Sequence, residues 1–392
     1  MRTFGTQATG IRTPIIYEGD DLSAITVDSV LEYCEETGVE IGDGDIIGVT
    51  EAVVARAQGN YATVEQIAAD VRAKFQGGAV GVVFPIMSRN RFSILLKGIA
   101  AGADKLYIQL SYPMDEVGNH IVDDERIYET GTDPYTDVFS ETEFRERFKD
   151  IRHRFTGIDY IELYREFGGG AEIILANDPC EILKHTKNVI AADIHTREQT
   201  KKKLLAGGAE KVICLDEILR ESAGGSGYND KYGILGSNKA GGDRVKLFPH
   251  SCEEFVVEIQ RQMREKTGAN VEVLVYGDGA FKDPVGKIWE LADPVVAPAF
   301  TEGLTGLPNE LKLKYLADNE LADKRGDEAQ AAIRDRIRNK ARNLMGKDET
   351  EGTTPRRLTD LIGSLCDLVS GSGDKGTPVI LIKGYFDNYA SE

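Results

Sequence analysis

Short apolar runs, each closed by Gly, Asp or Pro, recur along the chain and read as buried strands. Ile46-Ile-Gly-Val49, Gly81-Val-Val-Phe-Pro85 and Lys105-Leu-Tyr-Ile-Gln-Leu110 have this texture. Ile15-Ile-Tyr17 reads as a strand start, and Glu18-Gly-Asp-Asp-Leu22 opens a helix through Leu31 and Tyr33. Asp20 or Asp21 caps that helix by accepting its free N–H groups. Thr50 to Gly59 reads as a strand end passing into a short helix.

Further on, Asp159-Tyr-Ile-Glu-Leu163, Ala171-Glu-Ile-Ile-Leu-Ala176, Asn188-Val-Ile-Ala-Ala192 and Lys211-Val-Ile-Cys-Leu215 are short strand candidates. Helical stretches such as Thr196 to Leu205 lie between them, and that alternation predicts a small parallel unit. Ser222-Ala-Gly-Gly-Ser-Gly-Tyr228 reads as a linker or loop. Arg244 to Phe248 predicts a strand, Cys252 to Lys266 an amphipathic helix, and Val271 to Tyr276 a strand running into Gly277-Asp278-Gly279. Residues 318–348 interleave opposite charges, the pattern of a solvated helical face. The expected fold class is α/β (α+β mixed). A core formed by residues 1–119 and 231–392 is interrupted by a small α/β unit over 120–230.

The chain has 392 residues, 41% apolar and 29% charged, as expected of a globular protein with two or three domains. Its formal charge of −18 argues against nucleic-acid binding, which needs concentrated Lys and Arg. No apolar run is long enough to span a membrane, and the first residues lack a signal-peptide core. The five cysteines are scattered without a Cys-x-x-Cys pair, which argues against zinc and for free thiols in a reducing cytoplasm.

Leu358 to Ser370 predicts a helix that breaks at Gly371-Ser-Gly373-Asp-Lys-Gly376 before the strand Val379-Ile-Leu-Ile-Lys383. Such a join exposes backbone N–H groups that suit phosphate oxygens, although most Gly-rich joins are turns. Asp278 is read either as a turn-forming Asp-Gly pair or as a metal ligand. Asp115, in Pro113-Met-Asp-Glu-Val-Gly-Asn119, is a loop acid or a second ligand. Arg89 and Arg91 are either a solvated turn or a seat for an acidic substrate. His195 follows a strand of the α/β unit, where ligand-binding groups and ordinary loop residues both occur.

Several of these segments, in order, resemble the coenzyme F420:L-glutamate (gamma-glutamyl) ligase family. Gly10-Ile11-Arg12-Thr13-Pro14 with Gly19-Asp-Asp-Leu22 resembles its opening nucleotide loop. Gly44 to Gly59 resembles its second strand, with Arg56 at a nucleotide-contacting Lys. Gly233-Ile-Leu235-Gly-Ser-Asn238, Gly277-Asp278-Gly-Ala-Phe281 and Thr359 to Gly384 resemble later motifs. The resemblance implies an ATP- or GTP-dependent amide ligase that forms an acyl phosphate and uses Mg²⁺ or Mn²⁺. L-glutamate or a similar amine and a small acid are its implied substrates, and a homodimer its implied assembly. Ile11, Arg12, Thr13, Arg56, Gly371, Gly373 and Gly376 fall at implied nucleotide contacts, and Asp278 at a metal ligand. Glu51 is read either as a further nucleotide contact or as a solvated helix-start acid, and Asn238 either as a nucleotide contact or as a loop residue bonding its own backbone. One position departs: Leu235 replaces a metal-binding Asp, and Leu offers no oxygen donor. That favours a rival reading, a non-catalytic nucleotide- or metabolite-binding regulator. A different phosphate-handling enzyme is a third.

Overall fold

The computed structural model describes residues 4–283, 287–350, 356–371 and 373–391; Ser372 of the glycine loop lies outside them. Its fold is mixed α/β, built on three sheets.

The first sheet has five strands in the order β1 (Gln7–Ile11), β14 (Val379–Lys383), β2 (Ile46–Thr50), β12 (Glu272–Tyr276) and β13 (Ala299–Phe300). Ile47, Val49, Val273, Val275 and Leu381 face one side, against helices Leu22–Thr37 and Cys252–Thr267. Ile46, Leu274, Ile380 and Ile382 face the other, against helix Leu358–Val369. Burial on both faces explains why β2, β12 and β14 read as continuous apolar runs. Each fully buried Ile or Val contributes roughly 1.5–3 kcal/mol relative to exposure.

The second sheet has six strands in the order β6 (Phe139–Ser140), β7 (Glu172–Leu175), β5 (Lys105–Leu110), β4 (Ala79–Val83), β8 (Asn188–Ala191) and β9 (Lys211–Cys214). All its pairings are parallel except that of β6 with β7. It draws on strands both before and after residue 120. β4 has β5 on one side and β8 on the other, so the chain reverses its direction of travel across the sheet at β4. Crevices at the carboxyl ends of strands beside such a reversal commonly receive ligands. A small third sheet, β3 (Tyr61–Thr63), β11 (Arg244–Lys246) and β10 (Asn238–Gly241), completes the set.

Three sequence expectations are corrected. Residues 160–167 form a helix, not a strand, because Asp159 accepts the Glu162 N–H at 2.9 Å and Ile161 and Tyr164 are buried on one face. The first strand is Gln7–Ile11, with residues 15–17 outside any strand. The charged stretch 318–348 is not one helix: Asp318 ends the helix Leu313–Asp318, a second helix runs over Gly326–Arg338, and turns lie between and after them. The Ser222–Tyr228 segment is a pinned loop: the Ser222 hydroxyl donates to Ser226 O at 2.6 Å and the Gly227 N–H to Tyr61 O at 2.6 Å.

Candidate active site

β2 and β12 run parallel, with Val49 opposite Val275 and Thr50 opposite Tyr276, so their carboxyl ends lie side by side. One end delivers Glu51, the other Gly277 and Asp278. β14 enters the sheet at the same edge, where the Thr50 N–H donates to Pro378 O at 3.0 Å. The loops after β4 and β5 bring residues 86–91, Val117 and Asn119 to the opposite wall. Together these segments line a cleft of about 750 Å³ that also includes Asn238, Asp367 and Ser370.

Arg91 sits at the centre of the cleft's acidic end. Its Nη2 donates to Asp278 Oδ2 at 2.6 Å, and its Nη1 to Asp293 Oδ1 and to Gly236 O. Asp293 Oδ2 accepts the Asp278 N–H at 2.7 Å. The approach is that close because residue 277 has no side chain; a Cβ there would strike the Asp293 carboxylate. Asp367 holds the next N–H, of Gly279, at 2.7 Å. Two acids of distant sequence thus clamp the 277–279 turn and fix Asp278.

Crowding of carboxylates shows in their proton affinities. Burial, then the neighbouring Asp293, pushes Asp278 up to about 8 despite the opposing pull of Arg91. Burial and the same Asp293 raise Glu51 to about 7, against Lys246 and Arg91. Burial also raises Asp367 and lowers Lys246, whose Nζ donates to Ala52 O at 3.0 Å. Glu51 is 6% exposed, and its Oε2 is buried without a hydrogen-bond partner.

Asp115 is placed differently. It is buried, and its oxygens accept the N–H groups of Met87, Val117 and Asn119 and the Asn119 side-chain amide, at 2.7–3.1 Å. Those bonds fasten the loops that carry Met87, Val117 and Asn119 to the cleft wall. Burial raises its proton affinity as well.

The other sequence-predicted residues fall into two groups. Asn238 pairs with Lys246 across β10 and β11 and lines the cleft, as do Glu51, Arg89 and Arg91. Arg89 is exposed there, facing Tyr160. Around the rim, Ile11 pairs with Val379, and Arg12 Nε donates to Lys375 O at 3.2 Å, so residues 10–13 and the glycine loop meet. Thr13 Oγ1 donates to Pro14 O at 3.0 Å. In the loop Gly371 N–H donates to Thr377 Oγ1 at 2.9 Å and Gly376 has φ +64°, whereas Gly373 needs no positive φ and has open space around its Cα. Arg56 lies outside the cleft, donating to Ile16 O with its guanidinium 5.9 Å from the Tyr17 ring centre. His195 Nε2 contacts Leu291 O at 2.6 Å, and Glu116 accepts its backbone N–H.

The family model described as F420-0:Gamma-glutamyl ligase matches residues 10–384, nearly the whole chain. The chain belongs to that ligase family. No curated protein matches it significantly. Leu235 is 1% exposed in the apolar core, and the next residue, Gly236, offers its carbonyl to Arg91.

The donor chemistry of the centre suits a hard divalent ion. Glu51, Asp278 and Asp367 offer only oxygen, and Glu51 Oε2 is a buried oxygen with no donor. Among the described residues no three His, Cys, Asp or Glu side chains form a ready-made cage. Mg²⁺ is commonly held by one or two carboxylates together with phosphate oxygens, so a full protein cage is not required.

Sequence reasoning missed Asp293, Asp367 and Lys246. Asp293 precedes Pro294 in an irregular segment, and nothing local marks it. Asp367 interrupts an apolar helix that is otherwise buried on one side, which is a usable signal.

Proposed function

We propose that this chain joins a small acid to an amine, L-glutamate or a similar amino acid, at the expense of ATP or GTP. The acid's carboxylate attacks the γ-phosphate, releasing the nucleoside diphosphate and leaving an acyl phosphate. The amine then attacks the acyl carbon, and phosphate and a proton leave as the amide forms. Phosphoryl transfer is governed by positioning and charge neutralisation.

The observation that carries this reading is the meeting, at one sheet edge, of Glu51, Asp278 and the rim formed by residues 10–13 with the glycine loop. On this reading the rim's backbone N–H groups and Arg12 receive phosphates, and Asn238 contacts the nucleotide. Asp278 and Glu51 would hold Mg²⁺ or Mn²⁺. A bound divalent ion neutralises charge on phosphoryl oxygens. Arg89, exposed on the cleft wall, attracts the acid substrate. We also assign a cytoplasmic location and a homodimer. No helix among the described residues is long and apolar enough to cross a membrane.

A regulator that binds nucleotide without turnover is the second reading, favoured by the core position of Leu235. Phosphate release from ATP or GTP decides between them. Release that requires both an acid and L-glutamate supports the ligase. Nucleotide-dependent thermal stabilisation without release, across a panel of acids and amines, supports the regulator.

A further inference from the structure

The acidic centre already contains a cation. Arg91 comes from the loop after β4 of the six-stranded sheet, yet its guanidinium is spent on Asp278 and Asp293, which belong to the segment after β12. Its side chain is 14% exposed and lines the cleft, so a ligand entering there reaches it. Beside it, the partnerless Glu51 Oε2 marks an incomplete donor set. A guanidinium presents a planar fork that suits phosphate at least as well as carboxylate.

We propose that Arg91 is the resident cation of this centre and denies Asp278 to a bare divalent ion until a phosphate draws its guanidinium away. The inference rests on the nucleotide reading above. A charge at Arg91 opposes a second cation a few ångströms away, and Asp278 Oδ2 is already an acceptor of Nη2. A phosphate offers Arg91 another anion and adds oxygens of its own to Asp278 and Glu51. Nucleotide therefore binds first, and metal selectivity belongs to the phosphate-loaded state. Removing the guanidinium leaves protons and metal ions to compete for the acids, and at alkaline pH a divalent ion takes the place of the lost cation.

The test is a titration of the purified full chain with Mn²⁺ alone, followed by the electron paramagnetic resonance signal of free Mn²⁺. Arg91→Gln keeps a donor for Gly236 O without the charge, and Arg91→Lys keeps the charge; circular dichroism checks the fold of both. The expected result is at least tenfold tighter Mn²⁺ binding by Arg91→Gln than by the unaltered protein or Arg91→Lys. Adding Asp278→Asn to Arg91→Gln should abolish that gain. Equal Mn²⁺ affinity for Gln and Lys, or a gain that survives Asp278→Asn, overturns the proposal. A separate arm measures ATP and GTP binding without metal, where Arg91→Gln should bind at least tenfold more weakly. Undiminished nucleotide binding by Arg91→Gln overturns the phosphate-first order. Absence of nucleotide binding by the unaltered protein overturns the functional reading instead, while the Mn²⁺ contrast still reports on Arg91.

Discussion

Asp293 joins two segments with its two carboxylate oxygens: Oδ1 accepts Arg91 Nη1, and Oδ2 accepts the backbone N–H of Asp278 at 2.7 Å. Arg91 and Asp278 therefore keep their geometry through a residue that neither motif contains. Asp293→Ala leaves a buried guanidinium and a buried N–H short of partners. The expected cost is about 3–5 kcal/mol of folding stability, read from urea unfolding. A loss below about 1 kcal/mol would show that the clamp is redundant.

The raised proton affinities fix a pH dependence. Glu51 moves from its usual 4.5 to about 7, and Asp278 from 3.8 to about 8. Between those values the folded protein keeps protons that the unfolded chain has released, so stability falls as pH rises through this window. Burial sets the Glu51 shift first; Asp293 and Asp367 add to it, and Lys246 and Arg91 oppose it. At about 1.4 kcal/mol per pK unit, the loss from Glu51 across this window is on the order of 3 kcal/mol. Melting temperature in metal-free buffer should drop from pH 5 to pH 8, with a shallower slope in Glu51→Gln. Parallel slopes for both proteins would remove Glu51 from the account.

Asp115 and Asp278 are expected to separate cleanly. Asp115→Ala strips acceptors from three backbone N–H groups and should cost at least about 3 kcal/mol, since each unsatisfied buried group costs roughly 1–3 kcal/mol. Asp278→Asn should fold normally and lose Mn²⁺ affinity in the presence of nucleotide. Calorimetry that finds the Mn²⁺ loss in a folded Asp115→Asn protein instead would return Asp115 to the metal site.

The glycine loop offers a contrast within six residues. Gly376 has φ +64°, a conformation that costs an L-residue about 1–2 kcal/mol, and Gly373 has no such demand. Gly376→Ala should weaken nucleotide binding, whereas Gly373→Ala should leave it unchanged, both read by nucleotide titration beside circular dichroism. Equal affinities for the two variants would make the loop an ordinary turn.

Much of this fold is legible in the sequence because the central strands are buried on both faces and read as unbroken apolar runs. β1 is not legible: Gln7-Ala-Thr-Gly-Ile11 is a short edge strand with only Ile11 fully buried. The Tyr160–Phe167 helix was hidden because five residues of mixed polarity satisfy either period, and only the Asp159 cap decides. Asp278 is legible from an Asp-Gly pair ending an apolar strand. Its partners are not, since Arg91, Asp293 and Asp367 meet only through tertiary packing of separate segments.

β14 lies between β1 and β2, so the strand synthesised last among those described must be inserted between two made much earlier. Until it arrives, β1 has no hydrogen-bonding neighbour, and the Thr50 N–H lacks the Pro378 carbonyl that holds the edge beside Glu51. A nascent chain on the ribosome can build its six-stranded sheet first, but the rim of the cleft waits for translation to pass residue 383. Late assembly of this kind leaves unfinished chains with an open, incomplete cleft, and it makes folding slow through contacts between distant residues.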